Sequence, residues 1–163
     1  MRHAKSSWDT PGLNDGERPL NSRGKKNAPF MGKLLKEKNE IPDLIISSPA
    51  KRAYSTAKKV AKEVDYPGKK ILKEEKLYMA DTDEFLSVIG NTGQNLNKLM
   101  LVSHNSGITR FANFISGENL DNIPTAGIAR IDFDMDSWRQ IKETKGKMIF
   151  FEYPKKYTDN VGI

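Results

Sequence analysis

Leu99-Met100-Leu101-Val102-Ser103-His104-Asn105 decides the architecture. Four apolar residues run without a polar break and end in small polar ones, the pattern of a strand buried on both faces. Asn105 or Ser106 can cap a following helix, along which Ile108, Phe111, Ala112 and Ile115 recur at helical spacing until Gly117. This strand–turn–helix unit puts His104 at a strand's carboxyl end and a helix's start. Open α/β sheets bind ligands at that edge, and helix N–H groups there face an anion.

The same unit recurs upstream. Residues 41–46 predict a strand with Leu44-Ile45-Ile46 buried, and Ser47-Ser48-Pro49 leads into a helix over 50–63 with Ala53, Ala57, Val60 and Ala61 inward. Arg52 falls in the first turn of that helix. Residues 5–22 read as loop, punctuated by Pro11, Gly12, Gly16 and Pro19. A helix is expected over 28–38, with Pro29 in its first turn, and another over 81–90. Residues 71–77 are expected to be extended. Ala129, Ile131, Phe133 and Met135 alternate with polar residues as a half-buried strand does. Strands over 138–143 and 148–153 should flank the Thr144-Lys145-Gly146 turn, and 154–163 form a polar end. Strands alternating with helices define an α/β chain, a three-layer α/β/α sandwich around a mostly parallel sheet, with an antiparallel pair added at the end. No repeat or linker splits the 163 residues, so one domain is expected over 1–163.

Composition limits the chemistry. There is no cysteine, so no disulfide, thiolate nucleophile or thiolate metal site is available. No apolar run is membrane-length, and Met1-Arg2-His3-Ala4-Lys5-Ser6 lacks a signal core. A cytoplasmic protein without membrane partners is the expectation. Net charge is +6, with 17 Lys/Arg against 8 Asp/Glu in residues 1–73. That asymmetry suits an anionic partner, although lysines such as Lys58, Lys59 and Lys62 also read as a solvated helix back. No aromatics interleave with the basic residues as nucleic-acid stacking requires, so nucleic acid is not the expected partner.

Only two histidines exist, His3 and His104. With Arg2, Arg52 and the loop residue Arg18 they make a set suited to phosphate. Fixed guanidiniums hold the equatorial oxygens, and a neutral imidazole whose other nitrogen is bonded attacks phosphorus. The scheme needs no metal or cofactor, and no ligand-spaced cluster is present. Asp9, Asp15, Asp81 and Glu84 are candidate general acids by region alone, each equally readable as a solvated or capping carboxylate.

Arg2-His3-Ala4 resembles the Arg-His-Gly signature of the histidine phosphatase (phosphoglycerate mutase-like) superfamily. Arg2 through Trp8, Arg18-Pro19-Leu20-Asn21, Asp43 through Ala57, Val102-Ser103-His104-Asn105 and Pro124-Thr125-Ala126 are similar to its short SixA-like branch of phosphohistidine phosphatases, in the right order along the chain. The resemblance implies His3 as phosphoryl acceptor, Arg2, Arg52 and His104 as the phosphate grip, and Arg18 as a further contact. It implies a shallow pocket at the sheet's carboxyl edge and a protein-borne phosphate, phosphohistidine included, as substrate. A broad small-molecule phosphomonoesterase and a non-catalytic phosphate-binding module are the alternatives. The family also carries an apolar strand before Arg-His. Here Met1 stands in its place, so the usual first strand is expected to be missing, leaving open edges or a gap in the sheet. Ala4 and Ser103 replace two family glycines.

Overall fold

In the computed structural model, which describes residues 1–158, side-chain alternation along two central strands builds the layers. β1 (Leu44–Ser47) and β3 (Leu99–Val102) pair in parallel with Ile46 opposite Leu101. Ile45, Met100 and Val102 point to one face, where they pack with α1 (Ser22–Glu37) and α2 (Lys51–Glu63) through Ala28, Met31, Leu35, Ala53, Ala57 and Val60. Ile46, Leu99 and Leu101 point to the other. There they meet Phe85, Leu86 and Ile89 of α3 (Thr82–Gly90) and Ile108, Phe111, Ala112 and Ile115 of α4 (Gly107–Ser116). Phe85 stacks on Phe111 with ring centres 4.7 Å apart. This is an α/β/α sandwich, and its period-two strand pattern made two cores possible.

A short β2 (Leu72–Lys73) pairs in parallel with β1 on its other side, giving the order β2-β1-β3. β4 (Ile128–Asp132) and β5 (Lys147–Glu152) form a separate antiparallel pair, and α5 (Lys155–Thr158) follows. Between β3 and β4 lies a cavity of about 640 Å³, lined by Met1, Leu99, Met100, Leu101, Ile128 and Ile131 among others. Residues 1–3 bridge the two sheets at one end. The Met1 nitrogen donates to the Leu101 carbonyl (2.8 Å), Ser103 N–H to Met1 (3.1 Å), His3 N–H to Ser103 (3.0 Å) and Arg2 N–H to Gly127 (3.0 Å). At the other end Glu40 spans the gap, bonding Lys98 beside β3 (2.8 Å) and Arg130 on β4. The order is thus that of a mostly parallel sheet with one strand position vacant, the gap alternative expected from the sequence.

Four local expectations need correction. The strand expected over Ala129–Met135 ends at Asp132, and Phe133 and Met135 pack against the second core beyond it. α1 starts at Ser22, not near 28, because the Asn21 side chain accepts from Gly24 N–H (2.9 Å) and caps it there. Pro29 therefore sits inside the helix, without a backbone donor there, and three residues on, Gly32 lets the helix approach Glu63 and Val60 of α2 closely. Residues 138–142 form a 3-10 turn, not a strand. Ser137 and Gln140 close a capping box on it, and Ile141 is buried against the second core. Only Leu72 and Lys73 of the extended stretch 71–77 pair as strand, and 75–77 turn in 3-10 geometry.

Candidate active site

His3 is the last residue of the bridging segment, and the chain leaves the sheet at Ala4. The Ala4 N–H donates to Thr56 Oγ1 (2.9 Å), and that hydroxyl donates in turn to the Arg52 carbonyl (2.7 Å). One hydroxyl therefore ties the His3 segment to the first turn of α2. Ala4 is fully buried and lies outside the left-handed backbone region, so its methyl fills core space where the family has glycine. The Ser103 hydroxyl donates to the Leu77 carbonyl (2.7 Å), a bond that glycine could not make.

His3 Nδ1 lies 2.7 Å from the Ala4 carbonyl, a contact that requires Nδ1 to carry the proton and leaves Nε2 with a lone pair. His104 stands with its ring centre 5.1 Å from that of His3. Its Nε2 is 2.7 Å from Ser48 Oγ, and its Nδ1 is buried without a protein partner among the described residues, as is Arg2 Nε. Arg2 Nη1 donates to the Ile123 carbonyl (2.9 Å). α4 starts behind His104 at Gly107, where a Cβ would fall 2.0 Å from the Ala80 carbonyl oxygen, so only glycine admits this close approach.

Arg52 and Arg18 converge from α2 and from the 5–22 loop onto Asp15. Arg52 Nη1 reaches the Asp15 carbonyl (2.6 Å) and Nη2 its Oδ2 (2.8 Å). Arg18 Nη1 reaches Oδ1 (2.9 Å), while its Nε and Nη2 bond Ser7 O and Ser6 Oγ. Trp8 stacks on the Arg18 guanidinium, 3.3 Å from its centre, with most of the indole exposed. The Tyr78 hydroxyl donates to Asp15 Oδ2 (2.6 Å), and its ring meets His104 edge-on at 5.4 Å. Arg2, His3, Ser6, Trp8, Asp15, Arg18, Arg52, Met79 and His104 share one pocket of about 350 Å³.

The five sequence candidates for phosphate handling thus come together. Of the four carboxylates only Asp15 lines the pocket. Asp9 bonds Ser7, while Asp81 and Glu84 form the capping box of α3. Ser48 and Thr56 are site residues that sequence reasoning did not assign, while Tyr78, readable from the sequence as pocket mouth or as rim packing, bonds Asp15. The one available signal was Thr56, which stands one helical turn after Arg52 and so shares its face.

Burial lowers His3 to about 4, with Arg52 and Arg2 adding to the effect against the Ala4 bond. Burial likewise takes His104 to about 3, helped by His3 and Arg52. Both imidazoles are neutral at pH 7. Asp15 is held far below the usual carboxylate range, first by the Tyr78 hydroxyl and then by Arg52 and Arg18. The histidines set a pH dependence of stability. Below pH 6.5 they bind protons when unfolded but not when folded, so stability falls as pH drops from 6.5 towards 4. The expected loss is on the order of 3 kcal/mol for each histidine, about 6 for the pair, read as a falling denaturant midpoint. His104→Ala should roughly halve that slope, since His3 keeps its share, and an unchanged slope in the variant would contradict the assignment.

The sandwich brings two neutral histidines and three arginines into one pocket, the set that the resemblance to histidine phosphatases implies. Residues 1–78 match the family described as Histidine phosphatase superfamily (branch 1). A solved structure from Agrobacterium tumefaciens, described as phosphohistidine phosphatase SixA, is 30% identical with a TM-score of 0.79, covering 94% of each chain. The protein histidine phosphatase SixA complexed with tungstate superposes with a TM-score of 0.82 at 20% identity, covering 96% of each chain. An uncharacterized Mycobacterium tuberculosis protein is 28% identical over 165 residues, 95% of this chain and 100% of that one. The chain belongs to the histidine phosphatase superfamily, in its SixA-like branch. No helix among the described residues is long and apolar enough to cross a membrane.

Proposed function

We propose that this protein hydrolyses protein-borne phosphohistidine through a covalent phosphoryl intermediate on His3. The observation that carries the reading is the pair of neutral histidines beside three guanidiniums, in a pocket whose one described lining carboxylate, Asp15, is held ionised. Arg2, Arg18, Arg52 and His104 Nδ1 have donors to give to phosphate oxygens. His3 Nε2 attacks phosphorus, a P–N bond forms to His3, and the P–N bond to the substrate imidazole breaks. The His3 ring becomes positive, and the Ala4 carbonyl stabilises it through Nδ1–H. Water then attacks phosphorus, releasing neutral His3 and inorganic phosphate, with the water's protons passing to phosphate and solvent.

An ester leaving group needs a proton from an acid, which an ionised Asp15 does not supply. A phosphorylated imidazole can carry its proton before cleavage, so a phosphoramidate suits this pocket better than an ester. Trp8 and Met79 stand exposed among the lining residues, which supports a phosphate presented on a protein surface. The test is turnover of a phosphohistidine-bearing protein against a phosphoserine peptide and a sugar phosphate. A kcat/KM preference of about 100-fold for the first is expected, since the missing proton donor is typically worth 10² to 10⁴. Equal rates would favour a broad phosphomonoesterase. Phosphate binding without turnover would leave a binding module.

A further inference from the structure

We infer that Asp15 is the positioning residue of the phosphate grip, setting Arg52 and Arg18 side by side and holding His104 through Tyr78. The inference rests on the phosphatase reading above and adds the part that Asp15 plays in it.

The geometry assigns this part in three ways. Guanidiniums that meet at one dianion repel one another before it arrives, and here a carboxylate stands between two of them. Arg52 Nη2 and Arg18 Nη1 bond opposite oxygens of that carboxylate at 2.8 and 2.9 Å, which fixes the relative placing of groups from α2 and from the loop. The Asp15 main chain takes part as well. Its carbonyl accepts Arg52 Nη1 at 2.6 Å, and the residue opens a 3-10 turn, Asp15–Glu17, so the contact is built into the backbone. Finally, the contact leaves donors over. A guanidinium has five N–H donors. Arg52 spends two on Asp15, and Arg18 spends three on Ser7, Asp15 and Ser6. Both keep N–H groups for phosphate oxygens, so phosphate need not displace Asp15.

Tyr78 extends the arrangement. Its hydroxyl closes on Asp15 Oδ2 at 2.6 Å, and this bond places the ring edge-on to His104, whose Nε2 is fixed from the far side by Ser48. The same carboxylate therefore orients two phosphate-binding arginines and restrains the second histidine. A buried arginine without its partner is both less well placed and costlier to keep charged.

The experiment measures inorganic phosphate binding by calorimetry and steady-state kinetics with p-nitrophenyl phosphate and phenyl phosphate, for wild type, Asp15→Asn and Tyr78→Phe. Asparagine keeps the shape and removes the charge, and circular dichroism checks that it folds. Positioning predicts that Asp15→Asn raises both the phosphate Kd and KM about tenfold, equally for the two leaving groups. Tyr78→Phe should shift them in the same direction by less. A kcat loss that grows with leaving-group basicity, with Kd unchanged, would make Asp15 a general acid and overturn the inference. Unchanged or tighter phosphate binding in Asp15→Asn would overturn it too, the latter by making Asp15 a competitor of phosphate. A wild type that neither binds phosphate nor turns over these aryl phosphates or a phosphohistidine-bearing protein would overturn the phosphatase reading and this inference with it. A wild type that does both, with Asp15→Asn indistinguishable from it, would overturn this inference alone.

Discussion

His3→Ala is expected to carry no acid-labile phosphate after rapid quenching and to turn over at least about 10³-fold more slowly than wild type. The size follows from what the residue does. In the proposed mechanism it supplies the attacking nitrogen, and His104 does not replace it, because His104 Nε2 is taken by Ser48. Arg2, Arg18 and Arg52 stay in place, so phosphate binding should survive in the variant while chemistry does not. The imidazole is buried, so thermal unfolding is measured alongside to separate lost chemistry from lost fold. Unchanged turnover in His3→Ala, with no covalent phosphate in wild type, would remove His3 from the mechanism.

An extended apolar segment joined ahead of Met1 is expected to raise Tm by about 5 °C or more and to increase turnover. The slot between β3 and β4 presents Leu99, Met100 and Leu101 on one side and Ile128, Ala129 and Ile131 on the other, with Glu40, Lys98 and Arg130 also lining it, and its ladder already starts with the Met1, Arg2 and His3 bonds. A segment of about five residues spans roughly 17 Å, the length of an ordinary strand. Each of its inward side chains would contribute about 1.5–3 kcal/mol and each ladder hydrogen bond about 1, against about 1–2 per residue for ordering the backbone. A net gain of about 2 kcal/mol moves Tm by about 4–8 °C at this chain length. Rate should rise because His3 hangs from that same ladder. The control is a Gly/Ser extension of equal length, which gains the bonds without the burial. Identical melting of the two forms would show that the slot does not take a strand.

Much of this was legible in the chain because the signals were local. Leu99 through Val102 and Leu44 through Ile46 announced buried strands by apolar run alone, and His104 and Arg52 followed from their places just beyond those strands. The boundary of α1 was not legible, because a proline at 29 suggests a first turn and only the Asn21 cap moves the start. The strand expected over 138–143 fails on its spacing: Trp138 and Ile141 stand three apart, which puts them on opposite faces of a strand but on one side of a 3-10 turn. Within the site, residue types pointed to phosphate, but the contacts that shape it span long sequence separations. Tyr78 on Asp15 and Ser48 on His104 join residues that nothing in their immediate sequence pairs. Four carboxylates were indistinguishable by region, and only packing separated the helix cap at Asp81 and Glu84 from the pocket residue at Asp15.

The Thr56 hydroxyl has a bearing on how such a chain can lengthen over evolutionary time. Since one oxygen couples Ala4 to Arg52, an inserted residue on either flank would throw His3 out of step with Arg52. Residues 9–14 carry no comparable constraint. They are exposed, and Gly12 turns there in open space. Insertions should therefore accumulate in that loop, over the mouth of the pocket, where they would change which partners dock and leave the reaction untouched.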